Sequence, residues 1–348
     1  MGKLLPRRTV GATGLELSEL GLGAAPLGNL FRRVPESEVT LTIQAALDVG
    51  IRYVDTAPYY GAGLSERRVG DGVRGRADIV VSTKAGRLLR PIPARANEAE
   101  RDGFHAPLPF EPVYDYTYDG IMRSWEMSLQ RLGLARVDIL LVHDIGTLVH
   151  GEANAAYFNQ LTTGGGFRAL EALRSTRAIT AIGLGVNEWE VCLEAMQHVR
   201  LDVVLLAGRY TLLNHHSALA QFMPTCVRER IGVVVGGVYN SGILATGTRS
   251  STVPYYDYAP APDDIIAKVR RLESVCDAHG VPLAAAALQF SLAHPAVVSA
   301  ILGLGSPQQV SLAMLAYGTP IPASFWAELS SSGLLADDAP IPKAQGEA

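Results

Sequence analysis

The sequence predicts a (β/α)8 barrel, and three observations favour this fold class. Eight short strand-like runs, each followed by a stretch of helical character, extend over roughly 300 residues. Runs such as VDILLV (137–142) and IGVVV (231–235) are almost wholly apolar, as strands buried on both faces of a parallel sheet are. The competing doubly wound sheet would carry G-x-G-x-x-G after its first strand, and GLGAAPLG (21–28) does not match it.

The individual elements follow from local signals. A β-hairpin is predicted over residues 7–17, where two alternating pieces flank Gly11 and Gly14. The first helix, 35–50, has Pro35 near its start, acidic residues in its first turn and Gly50 at its end. The predicted strands are 20–23, 51–55, 78–83, 137–142, 179–184, 202–206, 231–235 and 297–302. The further predicted helices are 64–73, 119–132, 166–175, 188–197, 216–229, 263–279, 282–293 and 307–316.

We expect residues 1–335 to form a single catalytic domain and residues 336–348 to form a polar C-terminal tail. Three segments are longer than the framework needs: 86–119, 145–165 and 244–262. Each follows a strand, which in a barrel places it on the C-terminal face, where active sites are built. The first segment is expected to contact substrate rather than form a packed surface flap. Its aromatic residues are Phe104, Phe110, Tyr114, Tyr116 and Tyr118.

Composition excludes several classes of function. The net charge of −4 and the pI of about 6.1 give no general attraction to nucleic acid or to an anionic membrane. Three widely spaced cysteines without CxxC indicate a reducing compartment. Because residues 1–14 lack the apolar region of a signal peptide and no membrane-length apolar run occurs, we expect a soluble, cytoplasmic protein. The sequence leaves the oligomeric state open.

Four polar residues lie just past predicted strands: Asp55 and Tyr60 after the second, Lys84 after the third and His143 after the fourth. Each alone is more often structural, but a barrel brings the ends of its strands together. A phenol has an ordinary pKa of about 10, which a neighbouring ammonium lowers toward the working range. A buried lysine in turn needs a carboxylate to remain charged. The four groups therefore predict a proton-transfer site.

These residues lie in VDTAPYYG (54–61), VSTK (81–84) and LLVHD (140–144), which resemble the Asp/Tyr/Lys/His tetrad of the aldo-keto reductases. The resemblance implies that Tyr60 donates or accepts the proton and that Lys84 lowers its pKa. It also implies that Asp55 pairs with Lys84 and that His143 orients the substrate oxygen. No metal site is expected, because His215 and the adjacent His216 would point apart on a helix and no HExxH motif occurs. A GxSxG nucleophile motif is also missing from the sequence.

A cofactor is required, because none of these side chains can carry a hydride. Phosphate sites in such barrels lie after strands seven and eight, at a helix N-terminus, which corresponds here to ILGLGSPQQV (301–310). The glycines permit close backbone approach and Ser306 can cap the helix. The predicted contacts in this stretch are Gly303, Gly305, Ser306 and Gln309. The other predicted contacts are Gly23, Ala24, Asn187, Gly237, Val238, Tyr239 and Asn240.

The expected cofactor is NAD, with NADP as the alternative. In the family that this sequence resembles, a basic residue that grips the 2′-phosphate of NADP usually stands where this chain has Gly305. No Lys or Arg occurs between Ala293 and Pro322. The sequence departs from the family pattern at three further places: GVNEW offers Asn187 without the usual serine, Ala207 replaces a usual glutamine, and Gly236 replaces a usual tyrosine.

Two further stretches narrow the resemblance. LLAGRYTLL (205–213) and GVYNSGILATG (237–247) resemble the bacterial aldose 1-dehydrogenases. That resemblance implies oxidation of an aldose such as L-fucose, D-arabinose or L-galactose to its lactone, with hydride transfer to NAD. The sequence is also similar to pyridoxal dehydrogenase and to plant L-galactose dehydrogenase. The alternatives are a pyridoxal dehydrogenase or a general NADPH-dependent aldehyde or ketone reductase. A nicotinamide-binding regulatory subunit is the alternative from another class.

Overall fold

A computed structural model describes residues 5–93, 99–250 and 253–342 of the chain. Its strands are β1 (Arg7–Thr9), β2 (Glu16–Ser18), β3 (Leu20–Gly23), β4 (Tyr53–Asp55), β5 (Val80–Ala85), β6 (Arg87–Pro91), β7 (Glu100–Arg101), β8 (Phe104–His105), β9 (Phe110–Tyr114), β10 (Ile139–His143), β11 (Ala181–Val186), β12 (Val203–Ala207), β13 (Gly232–Gly236), β14 (Tyr255–Tyr256), β15 (Ala259–Pro260) and β16 (Val297–Gly303). Its α-helices are α1 (Glu36–Asp48), α2 (Leu64–Val73), α3 (Tyr118–Leu132), α4 (Thr147–His150), α5 (Asn154–Leu161), α6 (Gly166–Ser175), α7 (Glu190–Ala195), α8 (His216–Glu229), α9 (Ile243–Thr246), α10 (Asp263–His279), α11 (Leu283–Ala293), α12 (Pro307–Gly318) and α13 (Ala323–Ser331).

Eight parallel strands close into a barrel in the order β3, β4, β5, β10, β11, β12, β13 and β16, with β16 returning to β3. Helices lie between successive strands and cover the barrel from outside. Apolar residues such as Leu140 and Val142 in β10 are fully buried, as the apolar runs in the sequence predict. The prediction of a (β/α)8 barrel is confirmed.

The hairpin of β1 and β2 is also confirmed, and it closes the N-terminal end of the barrel. Val10 and Leu17 are fully buried and belong to the apolar cluster inside the barrel, with Ile139 and Val203. Gly11 adopts φ +51°, and a Cβ there would lie 2.6 Å from the carbonyl oxygen of Arg230. A side chain at this turn would therefore clash with the start of β13, so the tight seating of the hairpin requires glycine.

Local signals explain where the outer helices begin and end. Thr117 caps α3 by accepting a hydrogen bond from the backbone N–H of Gly120, and Gly133 ends that helix at φ +62°. Ser306 caps α12 in the same way from Gln309 N–H, with Pro307 at the first helical position. The second of these caps places the N-terminus of α12 directly after β16, at the C-terminal face of the barrel.

The framework elements agree with the sequence-based boundaries to within two residues at each end. The sequence did not predict α13, nor the small elements inside the long segments: β6 to β9, α4, α5, α9 and the hairpin of β14 and β15. Of the predicted tail, Ala336 donates a backbone hydrogen bond to His215 Nε2 at 3.1 Å, and residues 343–348 lie outside the described residues. Among the helices that the structure describes, none has the length and apolar character that crossing a bilayer requires.

Candidate active site

The four predicted polar residues meet at one cavity on the C-terminal face. The cavity has a volume of about 700 Å³, and Tyr60, Lys84 and His143 line it. Asp55 lies at the end of β4 and contacts Lys84 from below. The barrel topology brings them together from three neighbouring strands and the turn after β4.

Lys84 and Asp55 form a buried ion pair beneath Tyr60. Lys84 Nζ donates to Asp55 Oδ2 at 2.6 Å and to the carbonyl oxygen of Thr56 at 2.9 Å, and its side chain is 2% exposed. The other oxygen of Asp55 accepts from Ser82 Oγ at 2.7 Å, and Tyr53 OH lies 3.0 Å from Ser82 Oγ. Both charges thus have the hydrogen bonds that a buried pair requires.

A glycine on the neighbouring strand makes room for the lysine. Gly185 lies in β11 and lines the cavity, and a Cβ at this position would lie 3.1 Å from Lys84 Cε. A larger residue would push the lysine stem aside. The missing side chain therefore helps to hold the ammonium 4.8 Å from the centre of the Tyr60 ring.

Burial dominates the pKa of Tyr60. Burial raises the pKa of the phenol to about 12, the Lys84 ammonium acts to lower it, and the Asp55 carboxylate acts to raise it. Lys84 thus acts in the predicted direction, but the expectation that the net pKa falls toward the working range is wrong for this structure. In the protein alone Tyr60 is a neutral phenol near pH 7, with its proton ready to be donated.

The Lys84 ammonium remains charged. Burial acts to lower the pKa of Lys84, but the carboxylate of Asp55 outweighs it together with Tyr60, so the net pKa is raised. The pKa of His143 is shifted in the opposite direction from that of Lys84. Burial lowers it well below the ordinary value, and the cations of Arg87 and Lys84 lower it further. His143 is therefore a neutral imidazole, able to donate one hydrogen bond to a substrate oxygen.

A second ion pair, which the sequence did not predict, lies beside His143 and joins Arg87 to Asp144. Arg87 Nη2 donates a short hydrogen bond to Asp144 Oδ2, and the guanidinium lies 4.3 Å from the centre of the Tyr59 ring and 5.4 Å from that of Tyr114. Asp144 Oδ2 is also 3.4 Å from His143 Nε2. Both Arg87 and Asp144 line the cavity. Asp144 directly follows the quoted histidine in LLVHD, so its position was available in the sequence.

Part of the long segment 86–119 lines the cavity, and its contact with substrate stays a prediction. Phe104 and Tyr114 line it. Tyr116 is fully buried, and its hydroxyl donates to the carbonyl oxygen of His143 at 2.9 Å. Phe110 and Tyr118 are not among the residues that line the cavity. Residues 94–98 of this segment lie outside the described residues.

The residues proposed for the cofactor lie at four places on the C-terminal face, at the ends of β3, β11, β13 and β16. Gly23 and Ala24 end β3 beside Asp55, and Asn187 follows β11 and lines the cavity. Two further groups follow β13 and β16. They are Gly237, Val238, Tyr239 and Asn240 after β13, and Gly303, Gly305, Ser306 and Gln309 at and after β16.

The turn before α12 forms internal hydrogen bonds. Gln309 Oε1 accepts from Gly305 N–H at 2.6 Å, and Ser306 Oγ accepts from Gln309 N–H at 3.2 Å. A basic side chain from a distant part of the sequence also reaches this turn. Arg32 Nη2 donates to the carbonyl oxygen of Gly305 at 2.7 Å. Glu38 binds the same guanidinium through two hydrogen bonds of 3.1 and 2.8 Å. The turn therefore has a paired arginine that comes from the β3–α1 connection.

One buried group fits a polar ligand. Asn240 is 3% exposed, yet neither its amide oxygen nor its amide nitrogen has a hydrogen-bond partner in the described part of the chain. Buried polar atoms are normally paired, so an amide left unpaired at the C-terminal face is a place for a ligand's polar atoms. The chemistry of Asn240 and the glycine-rich turns at Gly237 and Gly305 therefore fits a dinucleotide, and their contact with the cofactor stays a prediction.

Comparison with known proteins places the chain in a family. The model of the aldo/keto reductase family matches residues 19–333. Pyridoxal 4-dehydrogenase of Microbacterium luteolum is 44% identical over 341 residues, which cover 96% of this chain and 99% of that protein. D-threo-aldose 1-dehydrogenase of a Pseudomonas species is 39% identical over 329 residues, 93% of this chain and 96% of that protein.

A comparison of structures agrees on the fold. The solved structure of a glycerol dehydrogenase from Gluconobacter oxydans matches with a TM-score of 0.73 at 21% identity, covering 98% of each chain. The match over residues 19–333 spans the whole barrel and every member of the predicted tetrad. The chain belongs to the aldo/keto reductase family and is a nicotinamide-dependent oxidoreductase.

Proposed function

We propose that this enzyme oxidises the hydroxyl group on the anomeric carbon of a cyclic hemiacetal, with an aldose such as L-fucose, D-arabinose or L-galactose as substrate and its lactone as product. The observation that carries the proposal is the arrangement of Tyr60 and His143 around one cavity, with the Lys84–Asp55 pair below Tyr60. This arrangement offers one group that exchanges a proton and one that fixes a substrate oxygen.

Tyr60, Lys84 and His143 each have a different role in this oxidation. Tyr60 takes the proton of the anomeric hydroxyl as that oxygen becomes the lactone carbonyl. Lys84 stabilises the phenolate that this requires, because it is a charged neighbour that does not lose its own proton. His143 donates a hydrogen bond to the reacting oxygen and keeps it oriented toward Tyr60. The nicotinamide dinucleotide supplies the acceptor for the hydride that leaves carbon.

We propose that the cofactor is NAD rather than NADP and that it contacts Asn240 and the turn at Gly305. The local sequence offers no basic residue, and the arginine that reaches the turn, Arg32, already pairs with Glu38. A 2′-phosphate near that guanidinium would also meet the Glu38 carboxylate, and the repulsion would offset the gain from the arginine. Titration of the protein with NAD and NADP tests this point, and binding of NADP at least tenfold tighter would contradict it.

The lining of the cavity favours a hydroxylated substrate. Arg87 with Asp144, and Arg209 with Asp257, line its wall. Carboxylates and guanidinium groups are acceptors and donors for hydroxyl groups. The aldose 1-dehydrogenase that is 39% identical to this chain supports the same substrate class.

Pyridoxal is the second candidate substrate. The relative that is 44% identical is a pyridoxal 4-dehydrogenase, and the cavity has aromatic walls at Tyr59, Phe104 and Tyr114, on which a pyridine ring can stack. Its aldehyde and neighbouring hydroxymethyl group can close to a cyclic hemiacetal, so the same proton transfer by Tyr60 would apply.

The test is NADH formation by the purified protein with L-fucose, D-arabinose, L-galactose, D-glucose and pyridoxal, followed by identification of the product. We expect NADH and a lactone from the first three sugars. Turnover of pyridoxal alone would keep the roles of Tyr60 and Lys84 and replace the substrate. Tight dinucleotide binding without turnover of any compound would contradict the proposed oxidation, and Tyr60→Phe serves as the inactive control.

A further inference from the structure

The carboxylate of Asp144 has one oxygen free for a ligand. Its Oδ2 accepts the hydrogen bond of Arg87 and lies 3.4 Å from His143 Nε2. Its Oδ1 accepts no hydrogen bond from the residues that the structure describes. The side chain is 20% exposed and faces the cavity. A carboxylate oxygen in a mostly buried wall that lacks a donor is an acceptor for a substrate.

The carboxylate is held in a fixed position. Arg87 is 4% exposed and lies between the rings of Tyr59 and Tyr114, at 4.3 and 5.4 Å from their centres. The backbone N–H of Asp144 donates to the carbonyl oxygen of Gly185 at 2.9 Å, and Asp144 has φ +45°. This left-handed conformation is unusual for a residue with a side chain and is a feature of ligand sites. The strand end thus turns the carboxylate toward the cavity.

The neighbouring donor and acceptor indicate what the free oxygen of Asp144 binds. His143 Nε2, the proposed donor to the oxygen on the reacting carbon, lies 3.4 Å from Asp144 Oδ2, and the free Oδ1 belongs to the same carboxylate. Two hydroxyl oxygens on neighbouring carbons of a sugar ring are roughly 3 Å apart, which is the range of hydrogen-bonded oxygens. A donor on His143 and a free acceptor on the adjacent Asp144 therefore match a vicinal diol better than an isolated hydroxyl group.

We propose that Asp144, positioned by Arg87, binds the hydroxyl group on the carbon next to the reacting carbon and so selects 2-hydroxylated sugars. The inference rests on the proposed oxidation of an aldose and names a specificity-determining residue for it. A substrate that lacks this hydroxyl leaves the Asp144 oxygen in the wall unpaired, which a site built for hydrogen bonding penalises strongly.

The test is a thermodynamic cycle in which one change is made in the enzyme and the other in the substrate. The values of kcat/KM and of Kd by isothermal titration calorimetry are compared for L-fucose and 2-deoxy-L-fucose, with wild type and Asp144→Asn. Wild type is expected to favour L-fucose over the 2-deoxy sugar by about 10- to 100-fold, because the lost hydrogen bond involves a charged group. In Asp144→Asn this preference is expected to fall at least fivefold, roughly a 1 kcal/mol coupling. The intrinsic reactivity of the two sugars cancels in this ratio of ratios.

Asp257→Asn is the matched control. Asp257 lines the same cavity and is paired with an arginine, but both of its oxygens bind Arg209, at 3.0 and 3.1 Å. Its neutralisation changes the charge of the cavity equally, yet we expect it to leave the preference for the 2-hydroxyl group unchanged. If Asp144 had a purely structural role, Asp144→Asn would lower kcat/KM and affinity for both sugars by the same factor.

Asp144→Asn leaves Arg87 buried without a carboxylate, so the paired variant Arg87→Gln/Asp144→Asn provides a chain without that unpaired charge. Equal use and equal binding of the two sugars by wild type would overturn the inference. A preference for L-fucose over the 2-deoxy sugar that persists in both Asp144→Asn and Arg87→Gln/Asp144→Asn would also overturn it. If wild type oxidises neither sugar, the proposed function fails, while the calorimetric preference still decides the role of Asp144. The absence of binding of either sugar would overturn both.

Discussion

Replacing Lys84 with methionine is expected to destabilise the protein more than removing both members of its ion pair. The substitution keeps the length of the buried stem but removes the donor to Asp55 Oδ2 and to the Thr56 carbonyl oxygen. The Asp55 carboxylate, 4% exposed, would then keep only Ser82 as its side-chain donor. Removing one partner of a buried pair costs about 3–5 kcal/mol of the free energy of unfolding.

The assay is urea unfolding followed by circular dichroism, with the free energy taken by linear extrapolation. Three proteins are compared: wild type, Lys84→Met and Asp55→Asn/Lys84→Met. In the double variant no charge remains buried, and Ser82 can still bond the amide. We therefore expect the double variant to recover most of the loss, to within about 1–2 kcal/mol of wild type.

Both variants should lose oxidation activity, because the phenolate of Tyr60 has then lost its cationic neighbour. If Lys84→Met is as stable as Asp55→Asn/Lys84→Met, the cost assigned to the unpaired Asp55 carboxylate is refuted. That result would mean that Asp55 takes up a proton or reaches water when Lys84 is absent. Unchanged activity in a folded Lys84→Met protein would refute the role of the lysine in proton transfer.

Three further outcomes follow from the same contacts. Tyr60→Phe should lower kcat by about 10²–10⁴-fold while the calorimetric Kd for NAD stays within a factor of about three; retained turnover would show that another group moves the proton. Because the Tyr60 pKa is about 12 and oxidation uses its phenolate, kcat/KM should rise about tenfold per pH unit from pH 7 toward 10, and a plateau below pH 8 would contradict this. Burial holds the pKa of His215 at about 4, below its unfolded value of about 6.5. Only the unfolded chain then binds the proton, and stability should fall by about 3 kcal/mol from pH 7 to pH 4, a share that His215→Gln removes in urea unfolding.

The barrel and the tetrad were predictable because both depend on local pattern. Apolar runs of strand length identify each strand, and the end of a strand identifies where its following polar residue lies. Once the fold class is known, Asp55, Lys84 and His143 must converge, whatever their separation along the chain. Cap residues such as Ser306 are likewise visible in the sequence, because a cap involves only neighbouring residues.

The second ion pair and the arginine at the cofactor turn were missed for a different reason. Arg32 and Gly305 are 273 residues apart, and no local pattern connects them. Asp144 adjoins His143, but a charged residue at a strand end usually faces water. Only the packing of Tyr59 and Tyr114 around Arg87 makes that pair part of the wall.

The sign of the pKa shift at Tyr60 was beyond the sequence for an energetic reason. Lys84 and Asp55 act on the phenol in opposite directions, and burial acts with Asp55. The outcome depends on how deeply each atom is buried, which residue types do not specify. Sequence identifies the partners of the phenol, whereas packing decides which of their effects is larger.

The pairing of charges around the cavity also bears on its substrate. Each cation named at the site has a carboxylate partner, and the pairs are Lys84–Asp55, Arg87–Asp144 and Arg209–Asp257. A further carboxylate, Asp102, lines the same cavity. A phosphorylated or carboxylated sugar would therefore find no unpaired cation among these groups and would have to displace a carboxylate from its partner. A neutral sugar meets no such cost, because its hydroxyl groups can donate to the same carboxylates while the ion pairs stay intact. The charge balance thus supports the proposed neutral substrate over a phosphorylated or carboxylated one, independently of the hydroxyl contact proposed for Asp144.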